Sequence, residues 1–164
     1  MAAIKILHAS IDSGNLEQFC REAEIVGNLR HRHFINVLDF SIENQTPYLV
    51  MDYLPRGSLR TQHPQRTQLP LDQVVAYTKQ IAIALQYAHK QHVIHQDVKP
   101  ENVLLNEENE VVLSDFGLAI IIQSMISLST QNPAGTPCYM APEQLLGKPC
   151  DASDQYALGI MAYE

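Results

Sequence analysis

Residues 95–105, HQDVKPENVLL, and residues 114–117, SDFG, decide how this chain is read. They set Asp97, Lys99, Asn102 and Asp115 in a fixed order: carboxylate, cation, amide, second carboxylate. A carboxylate can orient a hydroxyl and take its proton, a cation can meet an anionic group in transit, and an amide with a carboxylate can hold a hard divalent ion. Those are the parts that phosphoryl transfer to a hydroxyl requires. Taken singly, each has a plainer reading. DFG is a common turn sequence, and a lone histidine such as His95 is more often structural than catalytic.

Working outward, Ala2–Leu7 is a short apolar run interrupted by Lys5, which predicts a strand. In Leu16–Arg30 the residues Leu16, Phe19, Ala23, Val26 and Leu29 recur at helical steps and form one stripe. Glu22 falls on that stripe. A carboxylate on an apolar face is costly unless a cation meets it, and Lys5 is the natural candidate. Asn36–Ile42 and Pro47–Tyr53 read as two strands of a hairpin about the polar turn 43–46. Pro55, Gly57, Pro64 and Pro70 then punctuate a polar stretch that suits a hinge and a connecting segment. Asp72–His89 carries Val74, Tyr77, Thr78, Ile81, Leu85 and Ala88 at helical period, which predicts a long amphipathic helix. Val103–Leu105 and Val111–Leu113 are short strands flanking the turn 106–110. Residues 118–140 read as loop, and Asp154–Glu164 as the start of an apolar helix.

The 164 residues suffice for one ordinary domain or two small lobes. With 18 acidic residues against 11 Lys and Arg, the formal net charge is −7, which leaves no basic stripe for nucleic acid. Cys20, Cys138 and Cys150 show no metal-ligand spacing and read as buried or incidental thiols of a reducing cytosol. No apolar run approaches the roughly 18 residues a membrane span needs. The N-terminus lacks the basic region, long apolar core and cleavage site of a signal peptide. The expected location is cytoplasmic.

Together the blocks HxDxKPEN, DFG, GTPCYMAPE at 135–143 and SDQYALG at 153–159 resemble a protein Ser/Thr kinase catalytic domain, in the style of bacterial eukaryotic-type members. The resemblance runs from Ala2 to the last residue. It implies an α+β, two-lobe fold: residues 1–53 as a partial N-lobe, a small antiparallel sheet with helix C, and residues 54–164 as a mainly helical, truncated C-lobe. AAIK at 2–5 is similar to the strand motif whose lysine, here Lys5, meets the α- and β-phosphates of ATP, and Glu22 matches the helix-C glutamate that holds it. Met51 corresponds to the gatekeeper, Asp52 and Leu54 to hinge residues with backbone bonds to adenine, and Ala3 and Leu104 to the pair that sandwiches the ring. Asp97 would be the base, Lys99 the γ-phosphate cation, and Asn102 and Asp115 the Mg²⁺ ligands. Thr136 would help set hydroxyl specificity toward Ser and Thr of a protein substrate. His95, Phe116, Glu143 and Asp154 would be structural supports.

Three departures from the pattern carry further expectations. The Gly-rich loop that precedes the AAIK strand in the family is not in this sequence, so the strand should present an unpaired edge. The sequence ends within the family's central helix, so Glu143 should lack its usual arginine and stand as a stranded, partly buried carboxylate. Gln96 replaces the usual arginine, and no Lys or Arg occurs between Asp115 and Gly147, so activity should not depend on phosphorylation of Ser127, Ser129 or Thr130. Two readings compete with an ATP-dependent Ser/Thr kinase: a catalytically silent kinase-like binding module, and a non-functional fragment.

Overall fold

The computed structural model describes residues 1–7, 24, 25, 27–44, 46–115 and 136–164. Its first unit is a three-stranded antiparallel sheet in the order β1-β3-β2, with β1 Ala2–Ile6, β2 Val37–Glu43 and β3 Thr46–Asp52. The central strand shows why the sheet forms. Pro47, Leu49 and Met51 alternate inward while Thr46, Tyr48 and Val50 are more open, the period of a half-buried strand. Among the described residues β1 lies at an edge, with Ile4 and Ile6 exposed, and Leu7 continues it by donating to the Pro47 carbonyl at 2.9 Å. A bulge between Val37 and Asp39 marks the start of β2. The helix expected over Leu16–Arg30 lies mostly outside the described residues; Glu24, Ile25 and Gly27 are helical.

The second unit is built on α2, Leu71–Lys90, which follows the short α1, Leu59–Gln62. In α2, Tyr77, Ile81, Ala84, Leu85 and Ala88 are buried, the stripe that the helical spacing predicts. Asp72 in its first turn and His89 and Lys90 in its last suit the helix dipole. The hairpin β4 Val103–Leu105 and β5 Val111–Leu113 packs against α2, as does α4, Asp151–Tyr163, which α3, Pro142–Leu145, precedes. α4 is capped by reciprocal bonds between Cys150 and Ser153.

Two apolar cores result. One holds Leu7, Ile35, Leu49, Met51 and Val112; the other is centred on Ile81, Ala84, Leu85, Val98, Val103 and Leu105. They share elements, since Val112 of β5 joins the first core while Leu29 and Phe34 join the second. Backbone bonds complete the join: Ile35 donates to the Leu113 carbonyl at 2.9 Å, and Leu113 to the His33 carbonyl at 2.8 Å.

α1 falls in a stretch whose prolines and polar residues predict only hinge and connection. Its signal was local: the Ser58 hydroxyl accepts from Thr61 N, an N-cap that four residues suffice to use. Just before it Gly57 has φ +72°, and a Cβ there would lie 2.7 Å from Thr61 Oγ1. Its carbonyl accepts from Leu105 N at 3.0 Å, so this glycine ties the hinge to β4. Cys138 and Cys150 are free, exposed thiols. Among the described residues no helix is long and apolar enough to cross a membrane.

Candidate active site

The loop between α2 and β4 is held from below by one carboxylate. Asp154 of α4, 1% exposed, accepts from His95 N at Oδ2 and from Gln96 N at Oδ1, both at 2.9 Å. His89, from the last turn of α2, meets Oδ2 at 2.7 Å. That bond raises the His89 pKa; burial opposes the rise, and the charges of Asp154 and Asp151 add to it. Gln96 sits in the left-handed region at φ +66°, a conformation that a non-glycine residue holds only when its surroundings fix it. Here both ends of the residue are fixed: Asp154 takes its N–H, and Gln144 Nε2 donates to its carbonyl at 2.6 Å.

Above that anchor the polar groups converge. Asp97 Oδ2 accepts from Asn102 Nδ2 at 2.8 Å and pairs with Lys99 Nζ at 2.7 Å. Its Oδ1 accepts from Thr136 N at 3.1 Å and Thr136 Oγ1 at 3.2 Å, and Lys99 Nζ also donates to Thr136 Oγ1 at 2.6 Å. Asn102 Nδ2 bonds the Asp97 carbonyl as well, at 2.8 Å, so its amide nitrogen is spent on Asp97 and its Oδ1 is the atom left to a cation. Ser114 closes the loop onto β5, donating through N and Oγ to the Asn102 carbonyl at 2.8 and 3.0 Å, while His95 Nε2 meets the Ser114 carbonyl at 3.0 Å. Next in sequence, Asp115, at φ +62°, is paired with Lys5 Nζ.

A third group is apolar. Ala3 faces Met51 across the β1–β3 pairing, and Ala3, Met51, Leu54 and Leu104 belong to the same cluster. Asp52 N bonds the Asn36 carbonyl at 3.0 Å, closing the strand where the hinge begins.

The protein kinase domain model matches residues 1–164, the full sequence. The chain belongs to the protein kinase family. It is 34% identical to a probable serine/threonine-protein kinase of Clostridium perfringens, over 99% of this chain and 24% of that protein. It is 37% identical to an Aurora kinase of Schizosaccharomyces pombe, over 100% of this chain and 46% of that protein. With the serine/threonine-protein kinase PknL of Mycobacterium tuberculosis the figures are 34%, 99% and 41%. The chain thus spans between about a quarter and a half of the length of these relatives.

Within this kinase domain the expected residues fall as follows. Asp97, Lys99, Asn102 and Thr136 form one hydrogen-bonded group, with His95 and Asp154 beneath it; Lys5 and Asp115 form a second group; Ala3, Met51, Leu54 and Leu104 line a third surface. Glu22 and Phe116 lie outside the described residues, as do Ser127, Ser129 and Thr130. Lys5 is paired with Asp115, and its expected pairing with Glu22 falls outside the described residues. One expectation is corrected. Glu143 is not stranded: it accepts from Ser153 Oγ at 2.6 Å, which holds its carboxyl below the usual range. The donor is a hydroxyl in the first turn of α4.

Sequence reasoning missed His89, Gln144 and Arg60. His89 had a signal, since it follows Leu85 by four residues on the buried stripe of α2, where a polar side chain needs a partner. Gln144 had none, because its bond is to a backbone carbonyl 48 residues away.

Proposed function

We propose that this chain is the catalytic part of an ATP-dependent protein serine/threonine kinase. The observation that carries the reading is the doubly held Asp97 carboxylate, with Lys99, Asn102 and Thr136 on it and a buried Asp154 fixing the loop from below. A Ser or Thr hydroxyl oxygen attacks the γ-phosphorus of ATP, the bond from that phosphorus to the β–γ bridging oxygen breaks, and ADP leaves. Asp97 orients the hydroxyl and accepts its proton. Lys99 faces the transferring phosphoryl group, and Lys5 supplies positive charge to the other phosphates. The adenine ring would lie between Ala3 and Leu104, with Met51 behind it and backbone atoms of Asp52 and Leu54 at its edge.

The donor set fits Mg²⁺: the Asn102 amide oxygen and the Asp115 carboxylate are hard oxygen ligands, and Mg²⁺ ordinarily takes only one or two protein carboxylates beside phosphates and water. When bound it would neutralise charge developing on the phosphate oxygens. His95 and Asp154 hold the surrounding backbone and Glu143 meets Ser153 at the start of α4, with Glu22 and Phe116 as further supports by resemblance. The partner is a protein bearing Ser or Thr rather than nucleic acid, which the net charge of −7 supports. The setting is cytoplasmic, where ATP is.

The test is transfer of labelled γ-phosphate to a generic basic protein, alongside Mg·ATP binding by calorimetry. Asp97→Asn is expected to lower transfer by roughly 10²- to 10⁴-fold and to leave Mg·ATP binding in place. Undiminished transfer by that variant, or a wild-type chain that neither binds Mg·ATP nor transfers phosphate, overturns the proposal.

A further inference from the structure

Arg60 belongs to none of the motifs that identify the family, yet it is the hub of a network joining four segments. It stands on α1 with its side chain 18% exposed. Nε donates to Glu101 Oε1 at 2.8 Å, and Nη2 donates to the Tyr139 hydroxyl at 2.9 Å and to both Glu164 oxygens, at 2.7 and 3.0 Å. Tyr139 in turn donates to Glu164 Oε2 at 2.5 Å. The protonation states are locked accordingly. Burial pushes Glu164 up, but bonds from Tyr139 and Arg60 outweigh it and hold its carboxyl below the usual range. Burial and the bond to Glu164 push the Tyr139 phenol up, so it stays a donor.

What matters is where the two outer arms lead. Glu101 lies within the turn Pro100–Asn102, one residue before the amide that holds Asp97 Oδ2. Tyr139 closes the turn Pro137–Tyr139, its N–H bonded to the Thr136 carbonyl at 2.9 Å, and Thr136 holds Asp97 Oδ1. The two grips on the Asp97 carboxylate therefore come from turns 34 or more residues apart in sequence, and one guanidinium ties those turns together. We infer that Arg60 is a positioning residue for phosphoryl transfer, which sets the Asn102 turn against the Thr136 turn so that Asp97 is held on both sides. The inference rests on the kinase reading above. A forked, planar cation suits these partners: Arg60 meets Glu101 through Nε and Tyr139 and Glu164 through Nη2, whereas a lysine carries all its donors on one nitrogen.

The test compares wild type with Arg60→Met and Arg60→Lys, by steady-state kinetics and by amide hydrogen exchange. Misplacement of a catalytic group by about 1 Å can cost 10²-fold, so kcat is expected to fall roughly 10- to 100-fold in Arg60→Met. KM for ATP should move far less than kcat, because Ala3, Lys5, Met51 and Asp115 lie outside the network and Asn102 alone of the proposed nucleotide and metal ligands lies in a turn that Arg60 holds. Arg60→Lys should recover only part of the loss, and adding Tyr139→Phe to Arg60→Met should cost little more, because the two act through one network. Exchange should quicken at residues 101–103 and 139–141 while β1 and β3 keep their protection. An unchanged kcat overturns the inference. So does exchange that is unchanged at both turns, or a loss spread evenly over the sheet and KM for ATP, which would mark Arg60 as a general stabiliser. Absence of transfer by wild type would defeat the kinase reading itself, whereas the exchange measurement needs no turnover and still decides whether Arg60 couples the two turns.

Discussion

The two charged halves of the cleft are held in opposite ways. Around Asp97 the groups are fixed through backbone: Asp154 takes two consecutive N–H groups, Gln144 takes the Gln96 carbonyl, and Ser114 takes the Asn102 carbonyl twice. Around Asp115, among the described residues, one ion pair with Lys5 is seen, its lysine side chain 39% and its aspartate side chain 18% exposed. A buried carboxylate bonded to backbone cannot release its partners without stranding them, whereas a solvated pair separates at little cost. On the proposed function the difference is what the chemistry needs. The group that accepts a proton must be in place before the hydroxyl arrives, and the groups that take up phosphates and a cation must be able to leave each other.

The largest expected effect comes from breaking the rigid half. Asp154→Ala removes the acceptor for His95 N, Gln96 N and His89 in a site that is 1% exposed. Stranding buried partners of a lost charge costs roughly 3–5 kcal/mol, a large share of a small domain's stability. Urea unfolding measures it. A loss under about 1 kcal/mol would mean that the loop is fixed by something other than this carboxylate, and the contrast between the halves would fall.

A smaller effect sharpens the same contrast through pH. The His89 pKa is raised in the folded chain, by its bond to Asp154 foremost, with Asp151 adding to it; Lys79 and Lys90 line the same groove. A raised value means that the charged form is favoured by folding, so this contribution is complete below the ordinary histidine value of about 6.5 and is lost as pH climbs through the folded value. The urea midpoint should therefore decline across the window from neutral toward mildly alkaline pH, and His89→Gln should flatten that decline. Parallel curves for the two proteins would show that His89 does not report on Asp154.

How much of this was legible beforehand follows from the range of each interaction. The strands, the α2 stripe and the group Asp97, Lys99 and Asn102 could be read because each rests on local period or on a fixed sequence block. α1 could not, because a cap by Ser58 is a weak signal beside the prolines that surround it. Arg60 was illegible for a different reason: its partners stand 41, 79 and 104 residues away, and nothing in the residues near it announces them. Glu143 shows the reverse error, a resemblance supplying an expected distant partner when Ser153, ten residues on, already served.

The smallest expected effect is the one that tests the half held by an ion pair. Lys5→Met removes the partner of Asp115 and keeps the length of the side chain. Because the lysine is partly solvated, the stability change should stay within about 1 kcal/mol, several-fold below that of Asp154→Ala. On the proposed function Mg·ATP binding by calorimetry should weaken in the same variant, since the phosphates lose a cation that the fold hardly uses. A stability loss of about 2 kcal/mol or more would place Lys5–Asp115 among the structural ties, as such a cost exceeds what solvated pairs contribute. The nucleotide would then have to break part of the fold to reach its own ligands, and a cleft with one fixed half and one yielding half would no longer describe this chain.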